Sequence, residues 1–189
     1  DAIVTLGNVY RNTEDYKSAA DVYDKAIALI TTEERGHWRV YYYDGISHER
    51  LKDWDTAEKR FRKALEISPD EPMVLNYLGY SMIEKKINLP EAMDMVKKAV
   101  ELKPNDGYII DSLGWAYYRL GRYREAVDTL EQAIMFSPYE ATINEHMGDA
   151  YWKVGRRREA GFLWGHALRL KPEADRVPVL EAKLTGGLD

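Results

Sequence analysis

The clearest alternation of apolar and polar positions in the chain runs from Asp111 to Pro138. Its apolar residues recur every three or four positions, which predicts two amphipathic helices of about a dozen residues each. The first helix is expected to end near Leu120 and the second to begin after Gly121, because glycine readily adopts the left-handed turn between them. Pro138 should end the second helix, since proline has no amide hydrogen to donate. The stretch therefore predicts a helical hairpin.

The same pattern recurs along the chain with a period of about 34 residues. Small residues fall where the two helices of each hairpin should touch: one glycine on the first helix and two alanines on the second. The glycines are Gly7, Gly45, Gly79, Gly114 and Gly148; the alanines are Ala19, Ala57, Ala92, Ala126 and Ala160, then Ala26, Ala64, Ala99, Ala133 and Ala167; the closing prolines are Pro69, Pro104, Pro138 and Pro172. The recurrence predicts five hairpins that pack on their neighbours instead of around one central core.

These motifs resemble the tetratricopeptide repeat family, in particular its bacterial members. The family signature combines Leu-Gly, a Tyr three residues on, a mid-repeat Ala, a later aromatic residue and a closing Pro. The matches are Leu6-Gly7, Leu78-Gly79, Leu113-Gly114 and Met147-Gly148, then Tyr10, Tyr117 and Tyr151, then Tyr23, Phe61 and Trp164. The resemblance implies an all-α protein, a right-handed α-solenoid with repeats at residues 1–30, 38–70, 71–105, 106–139 and 140–172.

Residues 173–189 are expected to form a capping helix and tail, with Val179, Leu180 and Leu184 on the apolar face of the helix. Two further departures from the repeat pattern stand out. Asp44 occupies a position where the other repeats carry Leu or Met, and a polar linker within residues 31–37 separates the first two repeats.

The composition narrows the possible chemistry. The chain has 189 residues with 45% hydrophobic content and a formal net charge of -5, which argues against a general affinity for nucleic-acid phosphates. The absence of cysteine excludes disulfides, thiolate metal sites and cysteine nucleophiles, and fits a bacterial cytoplasm or cell envelope equally well. No apolar run has the length of a membrane span. The chain starts in mid-pattern at Asp1, so we expect it to be a piece of a longer protein.

In the family that these motifs resemble, the first helix of each repeat lines a concave inner surface. Aromatic residues occur at those inward positions about twice as often as their 12% average over the chain, and Tyr and Trp offer large rigid contact areas. The candidate partner-binding residues are Tyr42, Asn76, Tyr80, Tyr108, Asp111, Trp115, Tyr118, Arg119, Glu145, Asp149 and Trp152. They predict a groove for an extended or helical protein segment. The alternative is that some rings, Tyr43 and Tyr77 above all, pack between neighbouring first helices.

No catalytic set, phosphate-binding loop or nucleophile elbow occurs in the sequence. Glu145, His146 and Asp149 lie within one helical turn, where a metal site is conceivable, but an inner polar face explains them better. We therefore predict a non-catalytic interaction scaffold without metal or cofactor, whose partner is a protein or peptide, with no nucleic-acid binding and no membrane insertion. The alternative function is a structural segment of a longer solenoid that self-associates through its first repeat, where Ile3, Leu6 and Tyr10 lie.

Overall fold

The computed structural model describes residues 2–32 and 34–188, and over these ranges the chain is helical almost throughout, with no β-strand. The α-helices of the described residues are α1 (Ala2–Asn12), α2 (Tyr16–Ala28), α3 (Trp38–Arg50), α4 (Trp54–Ile67), α5 (Pro72–Lys85), α6 (Leu89–Leu102), α7 (Gly107–Arg119), α8 (Tyr123–Phe136), α9 (Ala141–Lys153), α10 (Arg157–Arg169) and α11 (Arg176–Gly186). A short 3-10 helix, Arg35–His37, precedes α3. The all-α prediction is confirmed.

The helices form two compact units, residues 1–78 and 79–189, whose boundary falls inside α5. In the first unit α1 packs on α2, α2 on α3, and α3 on α4. In the second unit α7 packs on α8, α8 on α9, α9 on α10, and α10 on α11. Each unit is therefore a row of helical hairpins in which a helix contacts its neighbours along the chain, as the sequence period predicts.

Each hairpin depends on a close approach at the glycine of its first helix. A Cβ atom at Gly45 would lie 2.7 Å from the Phe61 ring, and one at Gly114 would lie 2.5 Å from Leu130. Gly148 is equally close to Trp164. The mid-repeat alanines of the facing helices are fully buried: Ala19, Ala57, Ala92, Ala126 and Ala160. A bulky side chain from the second helix thus fills the space that the missing Cβ leaves, and the two backbones come close together.

Local signals set the ends of several helices. Asp15 and Asp53 begin α2 and α4, where their carboxylates accept hydrogen bonds from the backbone amides of Ser18 at 3.1 Å and Thr56 at 3.3 Å. Gly121, in the turn between α7 and α8, has φ +75°, in the left-handed region that the sequence predicts for it. α8 ends at Phe136, just before Pro138.

Asp44, the departure from the repeat pattern, is fully buried in the first unit. Nε of Arg60, on α4, lies 2.6 Å from its Oδ2, and Nε2 of His48 lies 3.5 Å from its Oδ1. Arg60 also pairs with Asp24 of α2. Burial raises the pKa of Asp44 to about 6, although the positive charge of Arg60 and the proximity of His48 oppose the rise. An ion cluster that joins three helices therefore replaces the apolar contact of the other repeats.

The capping helix forms as predicted, but a different face of it is buried. Leu180 is fully buried, whereas Leu184, expected on the apolar face, is 42% exposed. The second buried residue of α11 is Lys183. The prediction for Leu184 was wrong because two carboxylates of the preceding hairpin attract Lys183 and set the rotation of the helix.

Replacing Gly114 by Ala should lower the free energy of unfolding by about 1 to 3 kcal/mol, because the new methyl group would overlap the Leu130 side chain. Urea denaturation followed by circular dichroism measures the change. Gly161→Ala is the matched control, since a Cβ atom at Gly161, inside α10, meets no atom within 4 Å. That control should be neutral or stabilise by up to about 1 kcal/mol. Equal effects at the two glycines would contradict the close-approach explanation.

Candidate partner-binding site

Three side chains of the second unit form an aromatic stack: Trp115 and Tyr118 of α7 and His146 of α9. The Trp115 ring lies 4.6 Å from the Tyr118 ring and 4.0 Å from the His146 ring, centroid to centroid, and both pairs are nearly parallel. Trp115 and Tyr118 are three residues apart and so lie on one side of α7. The stack therefore joins the first helices of two neighbouring hairpins.

Carboxylates fix the orientation of the aromatic stack. Glu84 of α5 accepts hydrogen bonds from Nε1 of Trp115 at 2.8 Å and from Nη1 of Arg119 at 3.1 Å. Asp111 lies one turn before Trp115, and both of its carboxylate oxygens are 3.0 Å from Nδ1 of His146. The nitrogen atoms of Trp115 and His146 are thus both held by carboxylates, and the rotamers of the two rings are restricted as a result.

His146 is the member of the aromatic stack that can carry a positive charge. Burial by itself would lower its pKa, but the charge and hydrogen bond of Asp111 outweigh burial, and Asp149 and Glu145 add to the effect. The pKa of His146 therefore lies above its ordinary value, and the imidazolium is the form that the pocket stabilises. A cation stacked on the indole face of Trp115 gains a further cation–π attraction.

A cavity of about 620 Å³ opens beside the aromatic stack, within the second unit. Tyr80, Trp115 and Arg119 line one side of it, and residues 139–142 with Glu145 line another. The segment that leads into α11 supplies Lys171, and the first residue of α11 supplies Arg176. Arg119 pairs with Glu84, and Arg176 pairs with Glu145. The cavity thus combines aromatic walls with two paired arginines and with Lys171, for which the described residues supply no ion pair.

Four of the predicted residues line this cavity, and two others contact the rings of the aromatic stack without lining the cavity. Tyr80, Trp115, Arg119 and Glu145 contribute to its lining, whereas Asp111 and Tyr118 hold the aromatic stack. Burial raises the pKa of Tyr80 above its usual value, because the phenolate would be poorly solvated there and close to Glu84. Tyr80 therefore remains a neutral hydroxyl at physiological pH.

The predicted residues of the last repeat contact the C-terminal helix of the chain itself. Nζ of Lys183 lies 2.6 Å from Oε1 of Glu145 and 2.7 Å from both carboxylate oxygens of Asp149. Trp152 donates a hydrogen bond from Nε1 to the backbone oxygen of Leu188 at 2.8 Å. Glu145, Asp149 and Trp152 are therefore covered by α11 and the residues that follow it.

The remaining predicted residues lie elsewhere. Tyr42 is buried in the first unit, where its ring packs against Phe61 and, edge-on, against Tyr77. This placement matches the alternative of packing between helices. Asn76 is half-buried, and no described residue donates a hydrogen bond to its buried side-chain oxygen. Tyr108 is exposed and donates to Glu140, an interaction that raises its pKa to about 12.

Sequence reasoning did not single out Glu84, Arg176 or Lys183. Glu84 had a detectable signal: it lies five residues after Gly79, at the position where the next two repeats carry Arg119 and Lys153. An acid in an otherwise basic column suggests a pair between neighbouring repeats. The roles of Arg176 and Lys183 had no such signal, because α11 lies outside the repeat pattern.

Among residues 2–32 and 34–188, the structure brings together one group of possible metal ligands: Asp24, Asp44 and His48, with ligand atoms within 4.8 Å of one another. The guanidinium of Arg60 lies against both carboxylates of this group. Arg60 therefore already supplies the positive charge that a metal ion would bring. The same described ranges contain no helix with the length and apolar character needed to cross a membrane.

Comparison with known families identifies the repeat type. A model described as "Tetratricopeptide repeat" matches residues 4–72, and a model described as "TPR repeat" matches residues 114–155, which together are more than half of the chain. A TPR repeat-containing protein of Pseudomonas aeruginosa is 36% identical over 81 residues, or 43% of this chain. The matched part covers only 14% of the length of that relative.

Solved structures show the same fold at low sequence identity. The structure titled as a functional characterisation of Pseudomonas aeruginosa pilF has a TM-score of 0.80 and 19% identity, and covers 98% of this chain and 82% of its own. The YrrB structure, described as a TPR protein with an unusual peptide-binding site, has a TM-score of 0.64 and 20% identity, over 95% of this chain and 90% of its own. At these identities the likeness shows the fold alone, and that fold is the α-solenoid predicted from the repeats.

Replacing His146 by Gln should remove a pH dependence from the stability of the protein. Because the pKa of His146 is higher in the folded state than in the unfolded chain, its contribution is complete below about pH 6.5 and is lost as the pH rises through the folded pKa. The free energy of unfolding of the wild type should therefore fall more steeply toward alkaline pH than that of the variant.

Urea denaturation across this pH range measures both slopes. Asp111→Asn should flatten the profile in the same way, because it removes the charge that raises the pKa. Parallel profiles for the wild type and His146→Gln would contradict the assignment.

Proposed function

Because the chain belongs to the tetratricopeptide repeat family, we propose that it is a protein–protein interaction scaffold whose second unit binds an extended segment of a partner protein in the cavity beside Trp115. Repeats of this family are generally non-catalytic, and the fold and the family matches support a scaffold role. The observation that carries the finer proposal is the aromatic stack at the wall of a cavity of about 620 Å³.

The charges around this cavity favour a partner that inserts an apolar or aromatic side chain. Glu84 is engaged by Trp115 and Arg119, and Glu145 by Arg176 and Lys183. A charged ligand group would have to compete with these pairs or contact Lys171 alone, whereas an apolar side chain could enter the cavity and leave the pairs intact. Binding would then gain from buried apolar area and from hydrogen bonds to the neutral Tyr80 hydroxyl.

The size of the cavity suits one anchoring side chain of a bound peptide segment and its immediate neighbours. Its volume of about 620 Å³ lies in the usual range for a site that accepts one compact group. The YrrB structure, whose title names a peptide-binding site, is a precedent for peptide recognition by this fold. For this chain we infer a short extended segment with one aromatic or large aliphatic anchor.

Trp115→Ala should weaken binding of such segments by at least about tenfold, because the variant removes the ring at the centre of the aromatic stack that lines the cavity. Peptides selected from a phage-displayed random library against the wild-type chain would serve as probes, with affinities measured by fluorescence anisotropy. Phe162→Ala is the matched control, since Phe162 is an aromatic residue of α10 that is 68% exposed and does not line the cavity. Unchanged affinity for Trp115→Ala, with unchanged helical circular dichroism, would place the binding surface elsewhere.

A second candidate function is self-association through the first hairpin. In α1, Leu6 and Val9 are about half exposed, at 46% and 53%, and Ile3 adjoins them. A cavity of about 680 Å³ lies between the start of α1, the end of α2 and the start of α3, within the first unit. Exposed apolar residues on one helix beside a cavity of this size favour a helix of a second copy as the occupant.

This candidate predicts a dimer that forms as protein concentration rises and that the double variant Leu6→Ser, Val9→Ser abolishes. Sedimentation velocity over a wide concentration range measures it. Leu51→Ser is the control, because Leu51 is a similarly exposed leucine that follows α3 and is not part of the exposed apolar surface of α1. A wild-type chain that remains monomeric at its highest soluble concentration would exclude self-association through this surface.

A further inference from the structure

One side of α9 carries two carboxylates that form ion pairs with basic residues of α11. Glu145 and Asp149 are four residues apart, so they lie on one side of α9 and form what we call the acidic face. Both are nearly inaccessible to solvent. Lys183 of α11 is also buried, and its ammonium lies within 2.7 Å of both acids. Arg176 adds a second ion pair to Glu145.

The ion pairs with α11 lower the pKa values of the two carboxylates of the acidic face relative to the effect of burial alone. Burial by itself would raise the pKa of Glu145, but Arg176 and Lys183 more than compensate, and its pKa lies below the usual value. Burial raises the pKa of Asp149, although Lys183 and the hydrogen bond from Nε1 of Trp164 oppose the rise. Without a basic partner, two carboxylates would remain buried close together, which is strongly unfavourable.

The contact that α11 makes is narrow for a helix of its length. Only Leu180 and Lys183 of α11 are buried, and Leu180 packs with Trp164 and Ala167 of α10. Beyond the helix, the hydrogen bond from Trp152 to the Leu188 backbone oxygen needs no particular side chain. Residues 170–175, which are not helical, connect α10 to α11. The helix is therefore held by one leucine and two basic residues, and Leu188, which follows it, packs on the same apolar cluster as Leu180.

We propose that the acidic face is a binding surface for a short amphipathic helix of a partner protein, and that α11 is its intramolecular occupant. The pattern on α11 defines the ligand: basic residues seven positions apart, Arg176 and Lys183, with an apolar residue between them, Leu180. A partner helix with this pattern would keep every ion pair of the acidic face satisfied when it replaces α11. The proposal adds a second surface to the proposed function. This surface shares Glu145 and Arg176 with the cavity beside Trp115, whereas Asp149, Leu180 and Lys183 do not line that cavity.

A labelled peptide that covers residues 173–188 tests the proposal by competition with α11. In the chain variant Lys183→Ala, the intramolecular helix lacks its ammonium group, so the peptide should bind at least about tenfold more tightly than to the wild-type chain. A peptide that itself carries Lys183→Ala should bind the Lys183→Ala chain more weakly than the wild-type peptide does. Glu181→Ala is the control in the chain, since Glu181 is exposed on α11, and it should behave like the wild type. Fluorescence anisotropy measures all four affinities.

Failure of the peptide to bind a folded Lys183→Ala chain would overturn the proposal, and so would equal binding of the wild-type peptide and the peptide that carries Lys183→Ala. Circular dichroism establishes whether the chain variant is folded. If it is not folded, hydrogen exchange of the wild-type chain provides the test, and the amides of α11 should exchange faster than those of α9 and α10. Exchange of all three helices as one cooperative unit would show that α11 does not detach separately and would overturn the proposal.

Two further outcomes separate this proposal from its alternatives. If the wild type forms dimers at high concentration and Lys183→Ala abolishes them, the acidic face binds a second copy of this chain. That result would overturn the proposal of a helix from a partner protein. Trp115→Ala should weaken binding of this peptide less than it weakens binding of cavity-bound segments, because Asp149, Leu180 and Lys183 do not line the cavity. That difference distinguishes a failure here from a failure of the proposed function.

Discussion

The close approach of two helices at a glycine is the interaction on which the rest of this structure depends. At Gly45, Gly114 and Gly148 a ring or a leucine of the second helix lies where a Cβ atom would otherwise be. Protein interiors are close-packed, so such a contact permits one relative position of the two helices and few others. Because each hairpin repeats the contact, equivalent residues of successive hairpins lie in equivalent places. The inward positions of α7 and α9 are adjacent for this reason, and Trp115 can stack on His146.

Within that frame, acidic side chains organise the inner positions of the second unit. Glu84, Asp111 and Glu145 each belong to a first helix of a hairpin, and each pairs with a group on a neighbouring element. The pairs hold rings and cations in fixed orientations and leave few unmatched charges at the cavity. Under the proposed function, shape and apolar contact would discriminate between ligands more than net charge.

Two buried ion clusters mark the places where the chain departs from the simple repeat. Asp44 brings α2, α3 and α4 together through Arg60, and Lys183 joins α11 to α9 through Glu145 and Asp149. Buried ion pairs contribute little net stability, because the loss of hydration offsets much of the attraction. They do penalise alternative arrangements strongly, since an unmatched charge would then remain buried. In both places the clusters thus select one arrangement of helices.

The sequence by itself determined the helices, their pairing and the repeat family of this protein. Those properties follow from local spacing: apolar residues every three or four positions, glycine and alanine at helix contacts, and proline after the second helix. It also placed Trp115, Tyr118 and Arg119 on one side of α7. Only the tertiary structure decided which of the predicted residues remain accessible. Tyr42 is buried among Phe61 and Tyr77, and Glu145 and Asp149 are covered by α11. Periodicity specifies which side of a helix a residue occupies, whereas exposure depends on which distant segment packs against that side. For α9 that segment is α11, whose Lys183 pairs with Glu145 and Asp149.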